Sequence, residues 1–330
     1  MALEILRDKD CTTQYLRNKT IGIIGFGAQG KAQAQNLKDS GYQVKIGLKP
    51  DSDSIIPAQE MGFEVCDLVS LAKECQMLVF LLPDEWHKEA FLQLSPYLQK
   101  DQILCFSHGF SVHFGEIVPP SFVDVILVAP KAAGHAVRSE YQKGRGVISL
   151  IGVAQDASGD AKSIALEYAC ALGSGKSAIF ESSFKDECEC DLFSEQSVIC
   201  GGVDALIRAG FETLTEAGYP PEIAYFECLH EMKLVVDLIY ANGIQSMRKH
   251  ISNTAEYGDI IAGEQIITQE SKKAMQKILQ NIQSGEFAKQ FLQERDKGFP
   301  TLKTKRDNLK HDEIEQVGER LRGLMPWLQK

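Results

Sequence analysis

Two pairs of carboxylates stand at helical spacing in the second half of the chain: Asp191 with Glu195, and Glu227 with Glu231. Four residues apart on a helix, the members of each pair share a face, one turn above the other. The rest of each stripe is apolar. Val198, Ile199, Ala205 and Leu206 follow the first pair; Ile223, Ala224, Leu234, Val235 and Leu238 accompany the second. Acids on a core-like stripe need a positive partner, because a buried unpaired anion costs several kcal/mol. The basic residues nearby are Lys185, Arg208, His230 and Lys233, few and mostly off the face. Four carboxylates with no His or Cys form an all-oxygen set that suits Mg²⁺ or Mn²⁺ rather than Zn²⁺. Two ions sharing one carboxylate use four anions better than one ion does. The competing reading is a pair of solvated helices with ordinary acidic faces. The apolar stripes favour the site.

The elements ahead of these acids carry a second chemistry. Residues 20–25 read as a short buried strand that runs into Gly25-Phe26-Gly27-Ala28-Gln29-Gly30, with a helical stretch over 29–39. This is a dinucleotide fingerprint in its proper setting. Gly25 allows the tight turn, Gly27 lets backbone approach a pyrophosphate, and Gly30 lets helix pack on strand. The helix N-terminus then offers unpaired N–H groups to the phosphates. After the next strand, 43–48, the loop reads Lys49-Pro50-Asp51-Ser52-Asp53-Ser54. Lys49 with Ser52 and Ser54 fits a 2′-phosphate, hence NADPH. Asp51 and Asp53 oppose it, so NADH stays open.

Further strands are predicted at 63–65, 77–82, 103–106, 123–128, 146–153 and 177–181, with helices between, among them 161–172. Such alternation means an α/β, mostly parallel, doubly wound sheet. Leu82-Pro83-Asp84, His108 and Lys131 fall at strand ends, where ligands bind in such sheets. A lone strand-end His is ordinarily structural, and His113 and His135 have the same standing. Beyond 182 the strand signals stop, and helices are predicted over 191–217, 221–251, 269–294 and 311–324. The expected division is a Rossmann-type domain, 1–182, and an all-α domain, 183–330.

At 330 residues, 44% hydrophobic and 24% charged, the chain can build two ordinary globular cores. A net charge of −10 argues against nucleic acid and against anionic membrane surfaces. Nine cysteines without a repeated spacing are expected to be reduced. Cys188 and Cys190 lack a second ligand pair at zinc spacing. With no secretory leader and no long apolar run, the expected location is cytoplasmic.

The runs Gly25–Gly30, Leu81-Leu82-Pro83-Asp84, Ser107-His108-Gly109-Phe110, Lys131 with Gly134-His135, Asp191-Leu192-Phe193-Ser194-Glu195-Gln196, residues 224–231 and residues 251–259 together resemble ketol-acid reductoisomerase, in its short form, over the whole length. The resemblance implies migration of an alkyl group in a 2-acetohydroxy acid, then reduction by NADPH to a 2,3-dihydroxy acid. That is a step of valine and isoleucine synthesis. It implies that Asp191 bridges two Mg²⁺, Glu195 binds one, and Glu227 and Glu231 serve the other. Lys131 and Glu231 become candidates for proton transfer, His108 is placed near the nicotinamide, and Ser252 touches the substrate carboxylate. Gly134 and the fingerprint residues are placed on the cofactor. It further implies a knotted helical domain and a homodimer whose helical domains intertwine, each site drawing on both chains. There are departures from the family pattern. Ala132-Ala133 replace Gly-Pro after Lys131, Ser111 stands for Asn, Lys49 for Arg, and Lys249-His250 for Tyr-Ser. The alternatives are a metal-independent Rossmann reductase, of the 3-hydroxy acid dehydrogenase or pyrroline-carboxylate reductase type, and an inactive dinucleotide-binding sensor.

Overall fold

The computed structural model describes residues 3–328. The chain divides into two compact units, Met1–Cys190 and Asp191–Lys330. The first is built on a nine-stranded sheet in the order β1-β9-β8-β7-β6-β5-β2-β3-β4. Its strands are β1 Ile5–Leu6, β2 Thr20–Ile24, β3 Gln43–Gly47, β4 Glu64–Cys66, β5 Met77–Phe80, β6 Ile103–Phe106, β7 Asp124–Pro130, β8 Ser149–Gln155 and β9 Ile179–Glu181. Pairing is parallel except for β7 with β8 and β1 with β9. The two-residue β1 was not anticipated, being too short to carry an alternating pattern.

Alternation along the strands feeds two cores. Ile21, Ile23, Val79, Ile103, Ile126 and Val128 share one, while Ile24, Leu78, Phe80, Leu104, Phe106 and Leu127 share the other. That is the period of two of a sheet buried on both faces. Phe80 stacks on Phe106 at 4.7 Å between centroids. The chain leaves β2 for β3 and β4 on one side, then returns to place β5 on the other. A crevice therefore opens beyond the carboxyl ends of β2 and β5.

The helices of this unit are α1 Ala28–Asp39, α2 Ile55–Glu60, α3 Leu68–Glu74, α4 His87–Leu94, α5 Phe110–His113, α6 Gly134–Gln142 and α7 Ala161–Ala171, followed by α8, Phe184–Ser194, which runs past the division. Local chemistry sets their ends. The Asp67 carboxylate, for example, accepts the Val69 and Ser70 amides at the start of α3.

Among the described residues the second unit is all helical: α9 Gly201–Glu216, α10 Pro221–Tyr225, α11 Glu231–Asn242, α12 Ile244–Arg248, α13 Asn253–Ile266, α14 Gln269–Gln283, α15 Glu286–Asp296, α16 Pro300–Leu309 and α17 Glu313–Arg322. The long helices expected over 221–251 and 269–294 are interrupted at Gly243 and Gly285, both with positive φ. Helices α13 and α16 were not foreseen. The small core consists of Phe211, Ala224, Tyr225, Ile314, Val317 and Leu321. Arg208 with Asp312 and Arg320 with Glu222 brace it. Much apolar surface stays uncovered in a single chain, from Leu234, 54% exposed, to Tyr240, 92% exposed.

The cysteine expectation needs correcting. Cys11 is joined to Cys170, 159 residues away, as a disulfide; the other seven are free. No spacing rule could show this pair, because only docking of the N-terminal segment on α7 brings the two together. Glu167, on the same helix, anchors that segment by accepting the Tyr15 and Leu16 amides and the Tyr42 hydroxyl. No helix among the described residues is long and apolar enough to cross a membrane.

Candidate active site

The turn after β2 and the segment after β5 line one cleft of about 750 Å³. Gly25, Phe26, Gly27, Ala28, Gln29, Lys49, Ser52, Ser54, Leu82 and Pro83 all face it, as do Asp51, Asp53 and Trp86. The three motif glycines do different work. Gly25 has φ +96°, and a Cβ there would come 2.8 Å from the Leu82 backbone nitrogen. At Gly30 a Cβ would meet the Gly25 carbonyl oxygen at 2.4 Å. At Gly27 it would meet no protein atom within 4 Å, although this residue lines the cleft. Its lack of a side chain keeps free a space that the protein leaves for something else. These features suit a bound dinucleotide, whose pyrophosphate would meet the N-terminal amides of α1.

Gly134, expected at the cofactor, stands behind the loop rather than in the cleft wall. It is buried at the start of α6, and a Cβ on it would strike the Ala28 carbonyl oxygen at 2.2 Å. Beside it the Ala132-Ala133 departure leaves the loop tied down. The Gln29 amide donates to the Ala132 carbonyl at 2.8 Å, and Lys131 N–H donates to the Ile148 carbonyl at 2.8 Å.

A smaller cavity of about 180 Å³ adjoins the cleft, lined by Gln29, Leu82, Asp84, His87, Ser107 and His108 among others. His108 Nδ1 donates to Asp84 Oδ2 at 2.8 Å. Burial works against a charged ring, but hydrogen bonds to Asp84 and Cys188 outweigh it and raise the His108 pKa to about 11. Burial likewise opposes the Asp84 charge, yet His108 holds that carboxyl below its ordinary range. His108 is therefore an imidazolium paired with a carboxylate. His87 is its opposite: burial pushes its pKa down. As a neutral ring it donates from Nε2 to the Leu82 carbonyl at 2.9 Å and accepts the Ser111 hydroxyl at Nδ1, 3.0 Å. Ser111 thus fixes the ring that fixes the Leu82 turn.

The sequence reading missed Glu187. It lies one turn ahead of Asp191 on α8, 1% exposed at its side chain. Its carboxylate accepts Lys131 Nζ at 2.6 Å and the Gly109 amide at 2.8 Å. Its partners are 56 and 78 residues away in sequence, so only the helical spacing to Asp191 could have drawn attention to it.

Two of the four carboxylates of the second unit, Glu195 and Glu227, lie in wide turns; Asp191 precedes the first on α8, and Glu231 follows the second at the start of α11. Glu195–Ile199 forms a π turn, with Cys200 N–H donating to the Glu195 carbonyl, five residues back. Phe226–His230 forms another, with Glu231 N–H donating to Phe226. Such turns add a residue per turn and gather at functional sites. Here they correct the sequence expectation. Each shifts the following residues by roughly 100° relative to a continuous α-helix, so the stripes drawn through the pairs do not stay in phase. In one chain Asp191 is half-buried, but Glu195, Glu227 and Glu231 are exposed. So are Val198, Ile199, Leu206, Ile223, Leu234 and Val235, which were expected to be core; Ala224 alone of the strongly apolar set is fully buried. Ser252 caps α13 by accepting the Ala255 amide at 3.1 Å, which leaves its hydroxyl proton free to donate.

Comparison with known proteins places these features. Residues 15–178 match the acetohydroxy acid isomeroreductase NADPH-binding domain, and residues 184–327 match the ketol-acid reductoisomerase C-terminal domain. The ketol-acid reductoisomerase (NADP⁺) of Campylobacter hominis is 52% identical over 329 residues, 99% of this chain and 97% of that protein. The structure of an NADH-preferring ketol-acid reductoisomerase from an uncultured archaeon is 46% identical, with a TM-score of 0.95 over 98% of this chain and all of that one. A pyrroline-5-carboxylate reductase from Coxiella burnetii, 13% identical with a TM-score of 0.58, covering 81% of this chain and 98% of its own, shares the fold alone. The two domain matches, end to end along one chain and joined to a full-length relative above half identity, lead to one conclusion: the protein belongs to the ketol-acid reductoisomerase family.

Proposed function

We propose that the protein converts 2-acetolactate or 2-aceto-2-hydroxybutyrate to the 2,3-dihydroxy-3-methyl acid, by alkyl migration and NADPH reduction at one site, in branched-chain amino acid biosynthesis. The observation that carries this is the pairing, in one chain, of a dinucleotide cleft at the crevice of a doubly wound sheet with an all-carboxylate set placed in and beside two π turns. A reductase working on a simple keto acid would need only the first.

Asp191, Glu195, Glu227 and Glu231 would hold two Mg²⁺; oxygen donors without nitrogen or sulfur fit that ion. When bound, the ions supply Lewis acidity to the neighbouring carbonyl and hydroxyl oxygens of the substrate, and the nicotinamide supplies the hydride. The chain does the rest. The open face at Gly27 and the amides of α1 hold the pyrophosphate. The Leu82-Pro83 turn, fixed through His87 and Ser111, would offer a wall to the nicotinamide. His108, held charged by Asp84, places a fixed positive charge at that end. Lys131 Nζ, positioned by Glu187, keeps a proton for the oxygen formed as the ketone is reduced. Glu231 takes part in the proton transfers of the migration, and the Ser252 hydroxyl donates to the substrate carboxylate.

The functional unit is a homodimer or larger assembly. The apolar surface of the second unit, exposed from Ile199 to Ile261 in a single chain, is of the kind that a second copy covers. That cover would also dry the carboxylates. The cytoplasm is the compartment where such a biosynthetic step belongs. One assay tests the reading: NADPH oxidation on adding 2-acetolactate, with and without Mg²⁺. Oxidation only with the metal is expected. Metal-independent oxidation would point to an ordinary reductase, and none at all to a dinucleotide-binding sensor.

A further inference from the structure

Among the described residues lining the dinucleotide cleft, Lys49 is the one basic side chain. It stands at the end of β3, where a group that binds the adenosine ribose belongs. Its Nζ is nevertheless engaged elsewhere. It lies 2.8 Å from Glu89 Oε1 and 5.3 Å from the centre of the Trp86 ring. Glu89 is on α4, outside the β3 loop, and does not itself line the cleft. Asp51 and Asp53 add two further carboxylates to the wall beside Lys49. A 2′-phosphate entering here meets a lysine already matched by a carboxylate, whereas a bare 2′-hydroxyl needs no cation.

We infer that Glu89 is a specificity-determining positioning residue: by holding Lys49 against α4 it weakens the hold on the 2′-phosphate and keeps NADH usable beside NADPH. The inference rests on the functional reading above, since it concerns the cofactor of that site. It also makes selectivity depend on a residue beyond the loop that follows β3, acting through one ion pair and one ring contact.

The test is a titration of NADPH and of NADH into the full-length protein, followed by nicotinamide fluorescence, with no substrate and no metal. Wild type, Glu89→Gln, Lys49→Gln and the double variant are compared. An exposed ion pair is worth up to about 1 kcal/mol, so Glu89→Gln should raise the ratio of the NADH to the NADPH dissociation constant by about threefold to fivefold. The gain should shrink at high salt, as screening requires. It should vanish when Lys49 is already Gln, which a merely structural effect of Glu89 would not do. Glu89→Ala should shift the ratio the same way. An unmoved ratio overturns the inference, and so does a gain that persists without Lys49. Binding of both nucleotides with an unmoved ratio sinks the inference alone. Failure of wild type to bind either nucleotide sinks the functional reading and this inference with it.

Discussion

Replacing Glu187 with Gln keeps the shape of a buried side chain and removes its charge. In the native chain both oxygens are used, one by Lys131 Nζ at 2.6 Å and one by the Gly109 amide at 2.8 Å. A carboxamide has one accepting oxygen and one donating nitrogen, so one of these donors must face another donor. A hydrogen bond to a charged group contributes about 1.5–3 kcal/mol, and a buried group left unmatched costs about 1–3 kcal/mol. The Lys131 side chain is 32% exposed, so solvent returns part of the loss. The net destabilisation expected is about 2–3 kcal/mol, or about 5–10 °C in melting temperature for a unit of this size. Turnover should fall more steeply than stability, on the order of a hundredfold, because Lys131 loses its fixed position. Calorimetry and NADPH oxidation read the two effects. Lys131→Met should be at least as damaging, leaving Glu187 a buried charge with one partner fewer, and the double variant should be no worse than Lys131→Met alone. A Glu187→Gln melt within about 1 °C of the parent would show that the buried carboxylate does not hold Lys131 and Gly109 in this way.

Two glycines of one motif should respond differently to the same change. Gly30→Ala drives a methyl into the Gly25 carbonyl and should cost about 1–3 kcal/mol of stability by urea unfolding. Gly27→Ala meets no protein atom, so its stability should stay within about 0.5 kcal/mol while NADPH binding weakens on the order of tenfold. A destabilised Gly27→Ala with intact binding would contradict the assignment of that space. Alkaline stability gives a further check. Burial, reinforced by the Glu167 carboxylate, holds the Tyr42 phenol well above its ordinary range, and burial does the same to Tyr168. A group whose folded pKa is raised contributes stability in full below its unfolded value. That stability is lost as pH climbs past about 10, at about 1.4 kcal/mol per pH unit for each phenol. Tyr42→Phe should flatten this fall; an equally steep fall would rule out Tyr42 as a source.

The parts of the fold that were legible in the sequence are those written in local patterns. Strand Ile103–Phe106 was placed to the residue, and the strand-turn-helix around Gly25 to within one, because short apolar runs punctuated by glycine have few other readings. The carboxylates were legible as pairs. Their setting was not, because a π turn leaves no period in the sequence: Glu195–Ile199 and Phe226–His230 look like ordinary helix until the hydrogen bonds are traced. Helical patterns on either side likewise hid the breaks at Gly243 and Gly285, although the glycines were in plain view. Helix α13 did carry a signal in Ser252-Asn253, a capping serine followed by helical residues, and it went unread. The partners of Glu187 and the Lys49–Glu89 pair were out of reach, since both depend on contacts between segments at least 40 residues apart.

On the proposed function, acids of the helical unit hold the metal ions that promote the alkyl shift, while the sheet unit binds nucleotide on its own. Glu195→Gln separates the two. NADPH binding by fluorescence should stay within about twofold of the parent while Mg²⁺-dependent turnover of 2-acetolactate falls on the order of a hundredfold or more. Normal turnover in that variant, with binding intact, would contradict it.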